Sequence, residues 1–308
     1  MNSPQIPLNL WNKLWENYSH RVNYAQIYQQ MIATAGGTIA NDHIAFRSLR
    51  LNVDTPQGTK NLGIDYLEKI ANALGYQAAA EYTFPDQKLY ARHYQHPEQD
   101  ALDLPKLFIS ELIVDQLPDA IAQLIYQTVK SVKLADVQTL VERIKLADTE
   151  LEAEQLTDEL QLIYTRPWNA PFKSVVETVN TVSQYGAWVL LHGYAVNHFT
   201  GYINRQNTPL YPDIETTVKG LTDRNVPMKS EIEGDLKSGL RQTATKAVQE
   251  MVTVIDDTSK QEVSIPWTYA YYEIAERALV EVTPGEKVLF QGFKGANAQQ
   301  LFEMTRKV

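Results

Sequence analysis

The sequence predicts an α+β fold: two βαβββ modules forming a curved, barrel-like mixed sheet around a metal site, with an N-terminal helix and an inserted helical layer. Two observations carry that expectation. Asn41-Asp42-His43-Ile44-Ala45-Phe46-Arg47-Ser48-Leu49 has the pattern of a strand and leads into an amphipathic helix and three further strand candidates. The same order returns from Val196-Asn197-His198-Phe199-Thr200-Gly201-Tyr202-Ile203-Asn204, with an Asn again upstream of the His. Repetition of a whole unit says more about a fold than any single motif. Each unit can bury one sheet face only by closing against the other, which gives the curvature.

The elements follow in order. Residues 8–35 are helical in pattern, with Leu10, Trp11, Leu14, Trp15, Tyr18, Val22, Tyr24, Ile27, Tyr28 and Met31 at helical spacing, and Gly36-Gly37 ends them. After the His43 strand, Thr55-Pro56-Gln57-Gly58 turns the chain. Leu62, Ile64, Leu67, Ile70, Ala71 and Leu74 make an amphipathic helix closed by Gly75. Strand candidates cover 77–84, 88–96 and 106–112. Residues 117–162 carry heptad-like apolar positions among many Glu and Asp, which predicts an inserted layer of two or three helices. A further helix is expected over 172–191. In the second unit the expected helix is 209–225 and the strands are 227–233, 240–254 and 264–277. Phe290-Gln291-Gly292-Phe293 reads as a loop leading to a final helix over 296–307. One domain results, divided as module 38–113, helical insert 114–192, module 193–280 and closing loop and helix 281–308.

Composition narrows the chemistry. The 308 residues, 44% hydrophobic and 21% charged, suit a soluble globular chain of one large domain or two ordinary ones. No apolar run approaches the roughly 20 residues of a membrane span. Met1-Asn2-Ser3-Pro4-Gln5-Ile6-Pro7 lacks the basic and apolar regions of a secretory signal. A net charge of −9 and the lack of a Lys/Arg block disfavour nucleic acid, so the expected partner is a small molecule. Cysteine is absent, so a metal must be held by nitrogen and oxygen, which suits iron, manganese, zinc or nickel.

The candidate ligands come from strand alternation. His43, Ala45 and Arg47 share one face, with His43 and Arg47 about 13 Å apart at roughly 3.3 Å per residue. That separation suits a metal at one end of a site and a carboxylate clamp at the other, although a lone strand His is more often a hydrogen-bonded core or surface residue. The repeat places His198 at the position of His43. In Tyr269-Ala270-Tyr271-Tyr272-Glu273-Ile274-Ala275-Glu276-Arg277, the residues Tyr269, Tyr271, Glu273, Ala275 and Arg277 share a face. A carboxylate among aromatic residues is costly unless it is paired or bound to a metal. Two histidines and one carboxylate with open positions opposite make the facial arrangement of non-heme Fe(II) oxygenases. His192 rivals His198, but a helix-end imidazole capping carbonyls is its simpler role. His93 suits a satisfied core position. Glu111 takes the place in the first unit that Glu273 takes in the second, as a vestigial ligand position, a base behind the ligands or a structural salt bridge. A one-residue slip would exchange Glu276 for Glu273. Tyr271, Gln242 and Arg277 are candidates for the pocket or its support, with surface pairing open for the last two.

The paired modules, with a His from each first strand and a Glu from the last strand, resemble the vicinal oxygen chelate superfamily. Tyr-Tyr-Glu-Ile-Ala-Glu-Arg looks like the glutamate strand of its hydroxyphenylpyruvate dioxygenases. Phe290-Gln291-Gly292-Phe293-Lys294-Gly295-Ala296-Asn297 and Leu301-Phe302-Glu303 look like their closing tail, which lines the pocket and brings in Phe293. His43-Ile44-Ala45-Phe46-Arg47, Leu107-Phe108-Ile109-Ser110-Glu111-Leu112 and Asn197-His198-Phe199-Thr200 resemble the 2-oxoadipate dioxygenase/decarboxylase (hydroxyglutarate synthase) family, some of whose members are plastid proteins. The resemblance runs from about residue 38 to the end. It implies a single catalytic domain with Fe(II), or another divalent metal in a crystal, on His43, His198 and Glu273. It implies 2-oxoadipate and O2 as partners, without nucleic acid or membrane, and Arg47 on the far carboxylate. The products would be 2-hydroxyglutarate and CO2, within lysine catabolism. The expected location is cytoplasmic, or the plastid stroma for a plant protein whose transit peptide has been removed. Two other classes stay open: a divalent-metal isomerase or hydrolase of the same superfamily, separated by oxygen uptake, and a non-catalytic binding protein keeping the fold, which loss of a ligand would favour.

Overall fold

The computed structural model describes residues 5–294. In chain order the elements are α1 Gln5–Arg21, α2 Asn23–Thr34, β1 Asn41–Arg50, β2 Asn52–Thr55, β3 Gly58–Asn61, α3 Ile64–Ala73, β4 Gln77–Phe84, β5 Leu89–Gln95, α4 Gln99–Leu102 and β6 Lys106–Ile113. The helical insert is α5 Asp119–Val129, α6 Val137–Leu146, α7 Glu150–Ile163, α8 Lys173–Val182 and α9 Gln184–His192. Then come β7 Val196–Tyr202, α10 Ile214–Thr222, β8 Glu233–Asp235, β9 Leu240–Ala244, β10 Gln249–Ile255, β11 Glu262–Thr268, β12 Glu273–Arg277, β13 Leu279–Thr283 and β14 Glu286–Leu289.

Eight strands form one sheet in the order β4-β5-β6-β1-β7-β12-β9-β8. Each half is one module, and they meet where β1 runs antiparallel to β7. Within each module the first strand pairs parallel with the last, β1 with β6 and β7 with β12. Strands β4 and β8 end the order, so the sheet curls as a half-barrel. The module helices cover its outer face: α3 packs on β1, β5 and β6, and α10 on β12.

The expected α+β architecture is present, and the departures are local. The helix expected over 8–35 breaks at Val22. The helix expected over 172–191 breaks at Ser183, whose hydroxyl accepts from Gly186 N at 3.0 Å and so starts α9. The segment 117–162 forms three helices, α6 capped by Asp136 and α7 by a Thr149/Glu152 capping box. Expected strand 227–233 is reduced to β8, and 240–254 and 264–277 each divide. Their inner parts, β10 and β11, leave the main sheet as a hairpin in which Pro266 faces Met251. Proline cannot donate within a central ladder, which suits β11 to a two-stranded hairpin outside the main sheet. Residues expected to close the molecule as a loop include the β13/β14 hairpin. The helix expected over 296–307 lies outside the described residues.

Gly193 delivers the chain from α9 into β7. Its φ is +62°, and a Cβ there would sit 2.4 Å from Arg166 Cα, so no other residue fits without moving that backbone.

Candidate metal centre

Strand alternation sets the inner wall. His43, Ala45 and Arg47 of β1, Phe108 and Ser110 of β6, Gln242 of β9 and Glu273 of β12 line one small pocket on the inner face of the sheet. His198 and Asn197 of β7, Tyr271 and Phe293 complete most of the rest. The pairing of β1 with β7 slips by one residue twice: Asp42 is the extra residue on β1 and Asn197 the extra residue on β7. Such bulges re-aim side chains. At each one, the residue before the histidine bonds to the histidine ring. His43 Nδ1 lies 2.8 Å from Asp42 Oδ1, and His198 Nδ1 lies 3.0 Å from Asn197 Oδ1.

With both Nδ1 atoms so held, both Nε2 atoms face Glu273. His43 Nε2 is 3.6 Å from Glu273 Oε1, and His198 Nε2 is 3.7 Å from Oε2. Ligand atoms of the three residues lie within 4.8 Å of one another, and all three side chains are buried. Neither oxygen of Glu273 meets a donor at hydrogen-bonding geometry. An unpartnered buried carboxylate costs several kcal/mol, on the order of the desolvation of an ion, and burial accordingly pushes the Glu273 carboxyl well up. A divalent cation would supply the missing partner. Burial lowers both imidazoles, which keeps Nε2 of each as a lone-pair donor. The donor set, two neutral imidazoles and a carboxylate, fits a divalent transition metal.

Support behind the first histidine is ionic. Burial disfavours the Asp42 carboxylate, but Arg277 and Lys106 outweigh it and hold the group well below the usual carboxylate range. Arg277 donates Nε to Asp42 Oδ2 and Nη2 to Oδ1 at 2.8 Å, while Nη1 donates to Phe290 O at 3.0 Å and Gly292 O at 2.9 Å. The same cation therefore orients His43 and pins the incoming tail, which sets Phe293 edge-on to the His43 ring at 4.8 Å. Tyr271 stacks on His198 at 4.8 Å.

Arg47 is buried, with its guanidinium over Tyr185 at 4.8 Å and Trp188 at 5.0 Å, both on α9. Ser110 Oγ is 2.8 Å from Tyr185 Oη. The last helix of the insert thus walls in the arginine.

Of the residues singled out in the sequence, His43, Arg47, His198, Gln242, Tyr271, Glu273 and Phe293 come together. Arg277 is not on the pocket wall; it is buried behind His43. Glu111 is a correction. It follows Ser110 and so points to the opposite face, where it accepts from Ile64 N at 2.8 Å at the start of α3 and from Arg50. Register gives the first-module counterpart of Glu273 as Phe108. Glu273 pairs with Thr200, two residues beyond His198, and Phe108 with Ala45, two beyond His43. Glu276 faces outward to Arg241, which also binds Glu215 of α10, so Glu273 is the inward carboxylate. His93 is satisfied by Tyr82 Oη at 2.8 Å. His192 lies near Glu250, with Nδ1 to Oε1 at 3.4 Å, and takes no part in the cluster.

A half-barrel of two such modules has the fold of the vicinal oxygen chelate proteins, and the buried His/His/Glu cluster on its inner face could hold a divalent metal. The chain belongs to the 2-oxoadipate dioxygenase/decarboxylase family, whose model matches residues 12–305. A chloroplastic 2-oxoadipate dioxygenase/decarboxylase of Arabidopsis thaliana is 29% identical over 283 residues, 86% of this chain and 67% of that protein. The hydroxyglutarate synthase of Oryza sativa, solved in complex with 2-oxoadipate, superposes with a TM-score of 0.73 at 25% identity, covering 96% of this chain and 91% of that one. A putative glyoxalase superfamily protein of Ralstonia eutropha JMP134 shares the fold, with a TM-score of 0.80 at 22% identity over 94% of this chain and 86% of that one.

Proposed function

We propose that this chain is a non-heme iron(II) dioxygenase/decarboxylase that converts 2-oxoadipate and O2 to 2-hydroxyglutarate and CO2. His43, His198 and Glu273 hold the ion, and Arg47 holds the far carboxylate of the substrate. The observation that carries this reading is the Glu273 carboxylate, buried beside the Thr200 hydroxyl without a hydrogen bond of normal geometry and faced by two imidazole Nε2 atoms. Family membership and the 2-oxoadipate complex of the rice relative support the choice of substrate.

Iron(II) would supply the redox chemistry, drawing the 2-oxo acid and O2 to one centre so that loss of CO2 is coupled to oxidation of the remaining chain. The rest falls to the protein. Two neutral imidazoles and one carboxylate leave a divalent ion with net positive charge, which attracts an anionic chelator. Arg47 offers a planar fork suited to two carboxylate oxygens, and the rings of Tyr185 and Trp188 restrict its motion. It lies four positions after His43 on the same strand, so the span between the two ends of the substrate is set by β1. Phe108, Tyr271 and Phe293 present apolar walls that exclude water around the reacting carbons. The balance is one O2 consumed per CO2 released, with a six-carbon acid leaving as a five-carbon one.

Anaerobic loading with iron(II), followed by oxygen uptake and product analysis with a panel of 2-oxo acids, tests the proposal. Uptake with 2-oxoadipate matched by 2-hydroxyglutarate and CO2 is expected. Iron-loaded protein that consumes no oxygen with any 2-oxo acid would overturn it.

A further inference from the structure

Asn197 carries a donor that no described residue uses. It is 2% exposed and lines the pocket, and its Nδ2 has no hydrogen-bond partner among the described residues. The other half of the same amide is committed. His198 Nε2 faces Glu273, so the ring proton sits on Nδ1 and donates to Asn197 Oδ1 at 3.0 Å. That bond fixes which end of the amide is left over: the NH2 group. The equivalent residue of the first module makes the contrast. Asp42 also takes its histidine's Nδ1, but its remaining capacity is filled by Arg277. A buried donor left unsatisfied costs about 1–3 kcal/mol, so one retained on a pocket wall points to a ligand that fills it.

We propose that the free NH2 of Asn197 is a substrate-binding group that donates to an oxygen of the 2-oxo carboxylate end, beside the ion. As the bulged residue between His198, which faces Ala45, and Val196, which faces Phe46, it borders the metal cluster on the side toward Arg47. The inference rests on the 2-oxo acid reading given above. One side chain thus orients a ligand histidine through its oxygen and the substrate through its nitrogen.

The test measures cobalt(II) or iron(II) affinity, and then anaerobic 2-oxoadipate affinity at saturating metal by calorimetry, for the wild type and two variants. Asn197→Asp keeps the acceptor for His198 but removes the donor: metal affinity should hold or rise while 2-oxoadipate affinity falls roughly 10- to 100-fold. Asn197→Leu removes both without adding charge: metal affinity should fall, and 2-oxoadipate affinity of the loaded protein should fall at least tenfold. Loaded Asn197→Leu that binds 2-oxoadipate like the wild type overturns the proposal, because the Asp effect would then be charge repulsion alone. Asn197→Asp that loses metal affinity in step with substrate affinity also overturns it, since that is the mark of a structural role. A loaded wild type that binds no 2-oxo acid fails differently, by removing the substrate reading itself.

Discussion

Asp42 and Asn197 are each the bulged residue of the first strand of their module, and each holds the Nδ1 of the histidine that follows it. From there the modules diverge. The first backs its histidine with a buried ion pair to Arg277, which also grips the carbonyls of Phe290 and Gly292. The second backs its histidine with a neutral amide. Where the second module places Glu273, the first places Phe108. Where the first places Arg47 four residues beyond its histidine, the second has Tyr202, which is outside the pocket lining. A repeat thus supplies two equivalent imidazoles, and in the function proposed above the unequal positions around them divide the labour: carboxylate ligand from one module, anion clamp from the other. The lesson is that duplication builds the symmetric part of a site and substitution at matching register positions builds its direction.

Breaking the asymmetry at its centre should have the largest effect. Glu273→Gln removes the only carboxylate of the cluster, and metal affinity measured anaerobically should fall by more than the roughly 10- to 100-fold that loss of an outer hydrogen-bond partner costs. Arg47→Ala tests the other pole. It should weaken 2-oxoadipate binding about 100-fold while leaving metal content unchanged by elemental analysis; loss of metal would contradict the division of roles. Asp42→Asn turns the first module's support into the second's. Metal affinity should drop roughly 10- to 100-fold, and limited proteolysis after residue 280 should accelerate because Arg277 loses the partner that holds it against the tail. The same variant has a pH signature. Asp42 has a folded pKa below its unfolded value, so its contribution is complete above the ordinary carboxylate range and is lost as pH falls through the depressed folded value. Urea midpoints of the wild type should therefore fall toward acid more steeply than those of Asp42→Asn. Glu111→Gln, on the outer face, should do least: about 1 kcal/mol of stability from the start of α3, with substrate and metal affinity unchanged.

Much of this arrangement is legible in the sequence because periodicity and repetition are local signals. Alternation along β1 puts His43 and Arg47 on one face, and the returning Asn/His strand identifies the second imidazole without any knowledge of packing. Alternation in β12 separates Glu273 from Glu276. Other features depend on backbone events or distant partners. A bulge has no residue signature in Asp42-His43 or Asn197-His198, so the turning of both preceding side chains toward their histidines is invisible before the strands are paired. Counting strand positions without register matches Glu111 to Glu273, whereas parallel pairing matches Phe108. Tyr185 and Trp188 lie about 140 residues from Arg47 in the chain, and nothing in an amphipathic helix pattern announces which buried cation it will cover. Pro266 was the available sign that part of one expected strand would lie outside the main sheet.

The central claim is that three side chains, one from β1, one from β7 and one from β12, share a single ion. Anomalous diffraction at the iron edge from crystals loaded anaerobically tests it most directly. The account predicts one strong peak in contact with His43 Nε2, His198 Nε2 and a carboxylate oxygen of Glu273. A peak elsewhere in the molecule, or an ion at this pocket that any one of the three fails to touch, would contradict it.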